Sequence, residues 1–348
     1  MNIVLAQHFG MCFGVRDAIA QAEQLAEQAP LTILGELVHN PIVRERLRAQ
    51  GVQEATIGGI NNSAIESNSA AVAMITENGV RPSPQSSQRS AQSRSRGGGR
   101  EAPGEGRGIG ALSGQTQIDR IPTRVMITAH GASDTKRAIW RERGFHVADG
   151  TCPLVRHAHE QLKRLVAAGY FPVVIGKVGH VEVRGLTEDF PEARIVDLPR
   201  DILKLPLRDR YGVISQTTQP IDRVRALVAE IERLHPASEV RFVDTVCKPT
   251  KDRQSALRKL LDVAEVIVIV GGRESNNTRQ LVESCRAAGR RAFHIERPNE
   301  LLPKWFEGVS TVGLTAGTST LPETVHAVHE RLRQISSSPK QTSDHDSQ

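Results

Sequence analysis

The sequence predicts an α/β protein with parallel sheets, built as three similar lobes. Short β-branched runs alternate with helical patterns of about a dozen residues, which is the form that repeated strand–helix units take. The turns that follow the strands are rich in polar residues, and nine of them fall into three groups of three, each group with one cysteine. Ligands of open α/β sheets bind beyond the carboxyl ends of the strands. These turns therefore predict three lobes around a common centre.

The predicted strands are short apolar runs that end at small or polar residues. In chain order they are NIVLA, LTILGEL, RVMITA, FHVAD, FPVVIG, YGVIS, VRFVD, VIVIV and STVGLT. Predicted helices include PIVRERLRAQ, PLVRHAHEQLKRLVAAG, PIDRVRALVAEIERLH and NTRQLVESCRAAG. The last two carry apolar residues at helical spacing, which indicates helices that bury one face.

One segment, from about residue 53 to 120, interrupts this alternation. It is rich in Ser, Gly, Gln, Arg and Pro, and residues 81–110 carry six arginines against two glutamates. Because this composition buries too little apolar surface to offset the entropy of ordering the chain, we predict a disordered insertion. We also predict a disordered tail at 336–348. The formal charge of +6 is concentrated in the insertion and only 3% of the residues are aromatic, so we expect no nucleic-acid partner.

The remaining composition favours a reduced, cytoplasmic protein without membrane contact. The N-terminus lacks a basic stretch followed by a long apolar one, and the strongest apolar run, VIVIV at 266–270, is far too short to cross a bilayer. Four cysteines, at positions 12, 152, 247 and 285, are too few and too far apart for a disulfide framework.

Three of the cysteines predict a metal site. Cys285 lies in a helical stretch and is interpreted as a small buried apolar residue. Cys12, Cys152 and Cys247 instead occupy turns, where no core pattern explains them. Zinc sites usually show closely spaced cysteine pairs, while three soft ligands also suit an iron–sulfur cluster with one iron open to a substrate.

Histidines and small polar residues at neighbouring turns predict an anion site beside the metal. His39, His130 and His180 each follow a strand, and three histidines together favour anion binding. The segments SNNT and TSTLPE are typical of helix N-termini, where side chains cap the helix and free backbone N–H groups bind phosphate. Glu182 lies two residues after His180, which makes it the natural proton carrier of such a site.

In this set of motifs the chain resembles the LytB/IspH-type 4-hydroxy-3-methylbut-2-enyl diphosphate reductases. The resemblance covers residues 1–52 and about 121–335, and its motifs are GMCFGV, ELVHNP, AHG, GTCPLV, GHVEVRG, QTT, DTVCKPT, SNN and TAGTS. It implies a three-lobed trefoil around a central four-iron, four-sulfur (4Fe-4S) cluster. The implied lobes are 13–151 with the insertion, 152–246, and 247–335 together with 1–12.

The resemblance also implies a role for each candidate residue. Cys12, Cys152 and Cys247 correspond to the cluster ligands, while Glu182 and Thr217 correspond to the groups beside the substrate hydroxyl. Glu182 would relay protons to that hydroxyl. The implied diphosphate-binding residues are His39, His130, His180, Ser275, Asn276, Asn277 and Ser319. Asn276 departs from the family pattern, because many relatives carry a hydroxyl residue there.

The implied reaction is the reductive removal of the hydroxyl group from 4-hydroxy-3-methylbut-2-enyl diphosphate. Isopentenyl diphosphate and dimethylallyl diphosphate would be the products, in the last step of the methylerythritol phosphate (non-mevalonate) pathway. A ferredoxin or flavodoxin would supply the electrons. Two alternatives stay open: a non-catalytic iron–sulfur redox sensor that binds RNA through the basic insertion, and a zinc-dependent hydrolase of a phosphorylated substrate.

Overall fold

The structure is a computed structural model and describes residues 1–55 and 124–337. The predicted insertion lies outside these residues, apart from Gln53–Ala55, which form a strand rather than part of a disordered segment. The predicted tail lies outside them from residue 338 onward, and its first two residues belong to a helix. No described helix is both long and apolar enough to span a membrane.

Twelve strands are present in the described ranges. They are β1 (Asn2–Leu5), β2 (Thr32–Leu34), β3 (Gln53–Ala55), β4 (Arg124–Ile127), β5 (His146–Asp149), β6 (Phe171–Ile175), β7 (Arg194–Val196), β8 (Arg210–Ser215), β9 (Glu239–Phe242), β10 (Val266–Val270), β11 (Arg291–Ile295) and β12 (Thr311–Ala316). The nine predicted strands are all among them. The sequence analysis did not predict β3, β7 or β11.

The same ranges contain ten α-helices. They are α1 (Phe13–Gln28), α2 (Pro41–Ala49), α3 (Asp134–Glu142), α4 (Pro153–Ala167), α5 (Val181–Thr187), α6 (Pro199–Ile202), α7 (Ile221–Leu234), α8 (Lys248–Val263), α9 (Asn276–Ala287) and α10 (Pro322–Ser337). The four helices named in the sequence analysis correspond to α2, α4, α7 and α9, and each begins within one residue of its predicted start.

The strands form three parallel four-stranded sheets that share one topology. Their orders are β3-β2-β4-β5, β7-β6-β8-β9 and β11-β10-β12-β1. If the strands of each lobe are numbered from its own first strand, all three orders become 2-1-3-4. In the third lobe the fourth strand is β1, which pairs with β12 from Asn2 beside Thr311 to Leu5 beside Leu314. The predicted α/β class with three similar lobes is therefore confirmed.

The central strands are buried on both faces, as parallel strands between helices should be. All five residues of β10, Val266–Val270, are fully inaccessible to solvent. Burying an aliphatic side chain of this size contributes roughly 1.5–3 kcal/mol, so each sheet is a rigid support. The turns at the carboxyl ends of the strands are consequently held in place.

Candidate active site

Each lobe contributes three turns to the site, namely those after its first, third and fourth strands. After the first strands lie His39, His180 and Ser275–Asn277; after the third, His130, Thr217 and Ser319; after the fourth, Cys152, Cys247 and Cys12. Glu182 belongs to the first turn of α5, directly after His180. The second strands, which are the three that the sequence analysis did not predict, carry none of the candidate residues.

The three turn cysteines occupy equivalent places in their lobes. Each directly precedes a helix, and none of their side chains caps that helix. The backbone N–H of each cysteine donates to the carbonyl that lies two residues beyond the end of the third strand of its lobe. Cys12 donates to Thr318 at 3.0 Å, Cys152 to Ala129 at 3.0 Å and Cys247 to Thr217 at 2.9 Å. No described cysteine forms a disulfide. Three free thiols thus sit at helix N-termini, where the helix dipole favours negative charge.

A glycine lets two of these cysteine segments approach each other. A β-carbon at Gly14, in the first turn of α1, would lie 2.4 Å from the sulfur of Cys152. Burial raises the pKa of Cys152 and raises that of Cys247 to about 11, and the nearby Cys12 and Glu182 act in the same direction. These thiols therefore stay protonated unless a metal displaces the proton.

A buried cation, Arg253, accompanies the cysteines. Its guanidinium donates to the carbonyl of Pro249 at 2.8 Å and to the carbonyl of Gly10, and its Nε has no partner among the described groups. Burial lowers the pKa of Arg253, whereas negative charge at Cys12 and Cys247 raises it. The sequence analysis did not single out this residue, which lies within α8, three residues after the DTVCKPT motif.

The three histidines form a compact cluster. The ring centroids of His39, His130 and His180 are 5.0 to 6.2 Å apart, and one nitrogen from each lies within 4.8 Å of the others. Burial, followed by the charge of His39, sets the pKa of His130 well below its usual range and lowers that of His180 to about 3. His130 and His180 are therefore neutral at physiological pH.

Glu182 is a buried carboxyl group next to this cluster. It is only 2% exposed, and its Oε1 accepts a hydrogen bond from the backbone N–H of Thr217 at 2.6 Å. Burial raises the pKa of Glu182 to about 7, although hydrogen bonds from Thr217 oppose the rise. A carboxyl group of this kind can hold or release a proton near neutral pH, as general acid catalysis requires.

The SNN turn begins α9 and contributes both a cap and a link to the second lobe. The hydroxyl of Ser275 caps the helix by accepting from the N–H of Thr278 at 3.4 Å. The amide of Asn276 donates to the hydroxyl of Thr218 at 3.0 Å. Asn276 thus has a partner within the protein, and its predicted contact with the diphosphate stays a prediction.

The TAGTS turn provides an unsatisfied hydroxyl. The amide oxygen of Asn277 accepts from the backbone N–H of Thr318 at 3.1 Å, which ties α9 to this turn. The adjacent Ser319 hydroxyl is buried without a partner among the described groups, while its carbonyl accepts from the side chain of Asn40 at 2.6 Å. A buried hydroxyl without a partner is costly unless a ligand completes its hydrogen bonding.

One cavity joins the histidine cluster, Glu182 and the polar residues of both turns. Thr217 and the three cysteines do not line it. Thr217 adjoins the cavity through the hydrogen bond from its backbone N–H to Glu182. Cys152 and Cys247 lie near enough to Glu182 for its charge to raise their pKa. The structure thus brings the predicted anion ligands into one cavity and places Glu182 on its wall, close enough for its charge to act on Cys152 and Cys247.

Two further residues support the cluster and were not named as site residues from the sequence. Glu36 accepts a hydrogen bond from Nδ1 of His39 at 2.8 Å. Asn40 caps α2 by accepting from the N–H of Ile42 at 3.0 Å. Both lie in the GELVHNP segment, so their position beside His39 was the only signal available.

Comparison with known proteins agrees with these features. The LytB protein family model matches residues 3–95 and 105–333. A 4-hydroxy-3-methylbut-2-enyl diphosphate reductase of Aquifex aeolicus (strain VF5) is 29% identical over 96% of this chain and 97% of its own. That of Geobacter sulfurreducens is 30% identical over 98% of this chain and 100% of its own.

Two solved structures are similar along nearly the whole chain. An (E)-4-hydroxy-3-methyl-but-2-enyl diphosphate reductase, described as the terminal enzyme of the non-mevalonate pathway, has a TM-score of 0.58 and 28% identity, covering 96% of this chain and 100% of that one. The Plasmodium falciparum E-1-hydroxy-2-methyl-but-2-enyl-4-diphosphate reductase has a TM-score of 0.74 and 22% identity, covering 97% and 89% respectively, and shows the same fold. Because the family model spans most of the chain, this protein belongs to the LytB family.

Proposed function

We propose that the chain catalyses the reductive removal of the hydroxyl group from 4-hydroxy-3-methylbut-2-enyl diphosphate, giving isopentenyl diphosphate and dimethylallyl diphosphate. The names of its relatives support this activity, and one solved relative is described as the last enzyme of the non-mevalonate pathway. The observation that carries the proposal is Glu182, a buried acid with a pKa of about 7 that lines the histidine cavity and whose charge acts on two of the three free thiols. The proposed reaction needs a proton donor, a binding site for the diphosphate and a metal site that supplies electrons.

The cysteines fit an iron–sulfur cluster better than a single metal ion. Among the described residues, no group of three or more ligand atoms within 4.8 Å of one another contains a cysteine, so the three thiols are not gathered as tightly around one point as the three histidine nitrogens are. Three soft thiolates at helix N-termini suit iron and sulfide, and the buried Arg253 offsets part of their charge. Cys12, Cys152 and Cys247 would hold the 4Fe-4S cluster. When bound, such a cluster supplies electrons one at a time and an electrophilic iron.

The cavity residues would anchor the diphosphate. The neutral rings of His130 and His180 can each donate one N–H, and the partnerless hydroxyl of Ser319 can donate as well. The N-terminus of α9, with Ser275 and Asn277, adds backbone and side-chain donors of the kind that bind phosphate. Fixing the diphosphate in this way would orient the hydroxyl end of the substrate toward Glu182.

Glu182 would supply the protons. The overall reaction takes up two electrons and two protons, and one of the protons leaves with the hydroxyl group as water. With a pKa of about 7, Glu182 is partly protonated at neutral pH and can give its proton to the departing oxygen. The hydrogen bond from the backbone N–H of Thr217 would hold the carboxyl group in place during this transfer and stabilise the carboxylate that remains.

The electrons would come from an external one-electron carrier such as a ferredoxin or flavodoxin, in a cytoplasmic setting. The redox-sensor alternative gains no support from the relatives, which carry the name of the reductase. Its RNA-binding segment lies outside the described residues.

One geometric feature favours a second candidate function, the zinc-dependent hydrolase. Nitrogens of His39, His130 and His180 lie within 4.8 Å of one another, and three histidines with an open fourth position are a known catalytic zinc set. Metal content separates the two candidates, because the reductase would contain iron and sulfide in equal amounts and the hydrolase would contain one zinc ion.

The test is an anaerobic assay of the full chain, purified with its cluster, using the hydroxylated butenyl diphosphate and a chemical reductant. Formation of both isoprenoid diphosphates, together with iron and sulfide, is the expected result. Release of inorganic phosphate without reductant, from a protein that contains zinc, would replace the reductase with the hydrolase.

A further inference from the structure

Arg253 links the two chain segments that carry Cys247 and Cys12. It belongs to α8, the helix that begins directly after Cys247. Its guanidinium donates to the carbonyl of Pro249, in the first turn of that helix, at 2.8 Å. It also donates to the carbonyl of Gly10, which lies two residues before Cys12. The charged end of the side chain is therefore held beside both cysteine turns.

Arg253 is a buried cation to which no described carboxylate is hydrogen-bonded. Only 5% of it is exposed, and the acceptors of its guanidinium are two neutral backbone carbonyls. Its Nε–H is buried and has no acceptor among the described groups. Asp252 acts on it through its charge, but that carboxylate is paired with Lys248 at 2.6 Å. Because a buried charge without an opposite charge is costly, we expect an anion to adjoin Arg253 in the working protein.

The thiolates of Cys12 and Cys247 are the anions that fit this position. Burial lowers the pKa of Arg253, and negative charge at the two cysteines raises it more than the charge of Asp252 does. Cysteines bind metals as thiolates, so the occupied metal site brings two of its negative sulfurs within reach of the guanidinium charge. A thiolate or sulfide sulfur is also an acceptor for the free Nε–H.

The corresponding position in the other two lobes shows that the fold itself does not require an arginine here. The helices α1, α4 and α8 each begin directly after a cysteine of the site. The sixth residue after that cysteine is Ala18 in α1, Ala158 in α4 and Arg253 in α8, and both alanines are buried. A small apolar residue thus satisfies the packing of this helix position in two lobes, so the guanidinium in the third has another purpose.

We propose that Arg253 is a positioning residue that acts through Cys12 and Cys247: its positive charge offsets that of the two thiolates and raises the reduction potential of the cluster they hold. An added electron increases the negative charge of such a cluster, and a fixed cation nearby stabilises the reduced form more than the oxidised one. The inference rests on the proposed function, because it takes the metal centre to be the iron–sulfur cluster of that proposal.

The test is an anaerobic redox titration of the full, cluster-containing chain without substrate, monitored by the absorbance and the electron paramagnetic resonance of the cluster. Arg253→Gln removes the charge but keeps a side-chain donor. We expect its one-electron reduction equilibrium to be at least about tenfold less favourable than that of the wild type, a fall in potential of about 59 mV. Arg253→Lys keeps the charge without the guanidinium fork, so its potential should stay close to the wild-type value.

Arg258→Gln is the matched control, because it removes an exposed cation from the same helix. Arg258 pairs with Asp222 at the surface, where solvent and salt screen its charge, so this variant should keep the wild-type potential. Equal potentials for the wild type and Arg253→Gln overturn the inference. An equal fall in Arg253→Gln and Arg253→Lys also overturns it, because the hydrogen bonds of the guanidinium rather than its charge would then set the potential.

Iron and sulfide content decides the case in which Arg253→Gln does not hold the cluster. If Arg253→Lys then keeps iron and sulfide, the inference is supported, because the positive charge is what the site requires. If Arg253→Lys loses them as well, the inference is overturned, because the shape of the guanidinium is needed and its charge alone is not enough.

Turnover assays of the same samples separate this inference from the proposed function. A potential that depends on the charge at position 253, in a protein without turnover, supports the inference and overturns the proposed reaction. Turnover with equal potentials for the wild type and Arg253→Gln overturns the inference alone. A wild type that holds no iron and sulfide overturns both.

Discussion

The turn that carries His39 in the first lobe and the turn that carries His180 in the second occupy the same place, after the first strand of a four-stranded sheet. Their surroundings differ. His39 faces a carboxylate, whereas His180 caps a helix and accepts from the backbone of Glu182. In the third lobe the same turn carries no histidine, and Ser275 caps the helix. The repeated fold thus sets where a ligand group lies, and the adjacent residues set its hydrogen-bond partners.

The largest effect should come from the three equivalent cysteines. Replacing Cys12, Cys152 or Cys247 by serine should abolish turnover, by at least about a thousandfold, because each substitution removes one of three soft ligands. If the lobes are truly equivalent, iron and sulfide content should fall by a similar amount in all three variants. A cysteine whose loss leaves the cluster and turnover intact would break the equivalence.

The control for these variants is Cys285→Ala. Cys285 is buried in α9, away from the turns, so its replacement should cost some stability but leave iron, sulfide and turnover at the wild-type level. Loss of the cluster in this variant would mean that the content assay reports damaged folding rather than missing ligands.

Glu182→Gln should have the next largest effect, lowering kcat by about a hundred- to a thousandfold because the proton carrier is lost. In the wild type, turnover should fall as the pH rises through about 7, where the carboxyl group loses its proton. A pH profile that stays flat from pH 6 to pH 9 would count against Glu182 as the acid.

The raised pKa of Glu182 also has a consequence for stability. Because the folded-state pKa is above the ordinary value of 4.5, the wild type should lose stability as the pH rises from about 4.5 through about 7. Glu182→Gln lacks this group, so its unfolding free energy relative to the wild type should increase over the same range. Denaturant unfolding at pH 5 and pH 8 measures the difference, and equal differences at both values would contradict it.

Two substitutions of His180 separate its role as the cap of α5 from its proposed role as a donor to the diphosphate, and so sharpen the comparison between the turns. His180→Asn keeps a side-chain oxygen that can cap α5 but is too short to place a donor where Nε2 of His180 lies, so it should raise KM about tenfold with little change in melting temperature. His180→Ala should also lose the cap, at a cost of about 1 kcal/mol. Equal melting temperatures for the two variants would show that the hydrogen bond to Glu182 contributes nothing to stability.

The smallest effect expected is on stability alone. Asn40 follows His39, caps α2 and donates to the carbonyl of Ser319 in the third lobe. Asn40→Ala should lower the unfolding free energy by about 1–3 kcal/mol, because it removes a cap and leaves a buried carbonyl unpaired. Unchanged denaturant unfolding would show that this contact between lobes is not needed.

The sequence could predict the central strands of each sheet because those strands are strongly apolar. The apolar run VIVIV of β10 is buried throughout and predicts a strand from its own residues. By contrast, β3 consists of Gln53, Glu54 and Ala55 and lies at the edge of its sheet. Edge strands pair on one side only and are less buried, so they need fewer apolar residues. The strands β7 and β11 also lie at edges and each begins with an arginine. The edge strands β1, β5 and β9 were nevertheless predicted, so an edge position alone does not hide a strand.

The site residues that act through side chains at turns could be predicted. The backbone N–H and carbonyl groups that hold them could not. Glu182 was found from its place beside His180. The backbone N–H of Thr217 that holds the Glu182 carboxyl group has no signature in the sequence. The same is true of the carbonyl groups that accept from the three cysteine N–H groups. Arg253 lies in α8, the helix that begins after Cys247, but only the fold brings its side chain to the carbonyl of Gly10 and close to Cys12.

The pairing of β1 with β12 has a consequence for how the protein is made. Cys12 follows β1, but β1 can pair with its neighbour only when Thr311 to Leu314 have been synthesised. Domains fold as units during synthesis, so the first two lobes can fold while the third waits for both ends of its sheet. The three-cysteine site is therefore completed last, so a metal centre held by all three cysteines could be inserted only after β12 has been made.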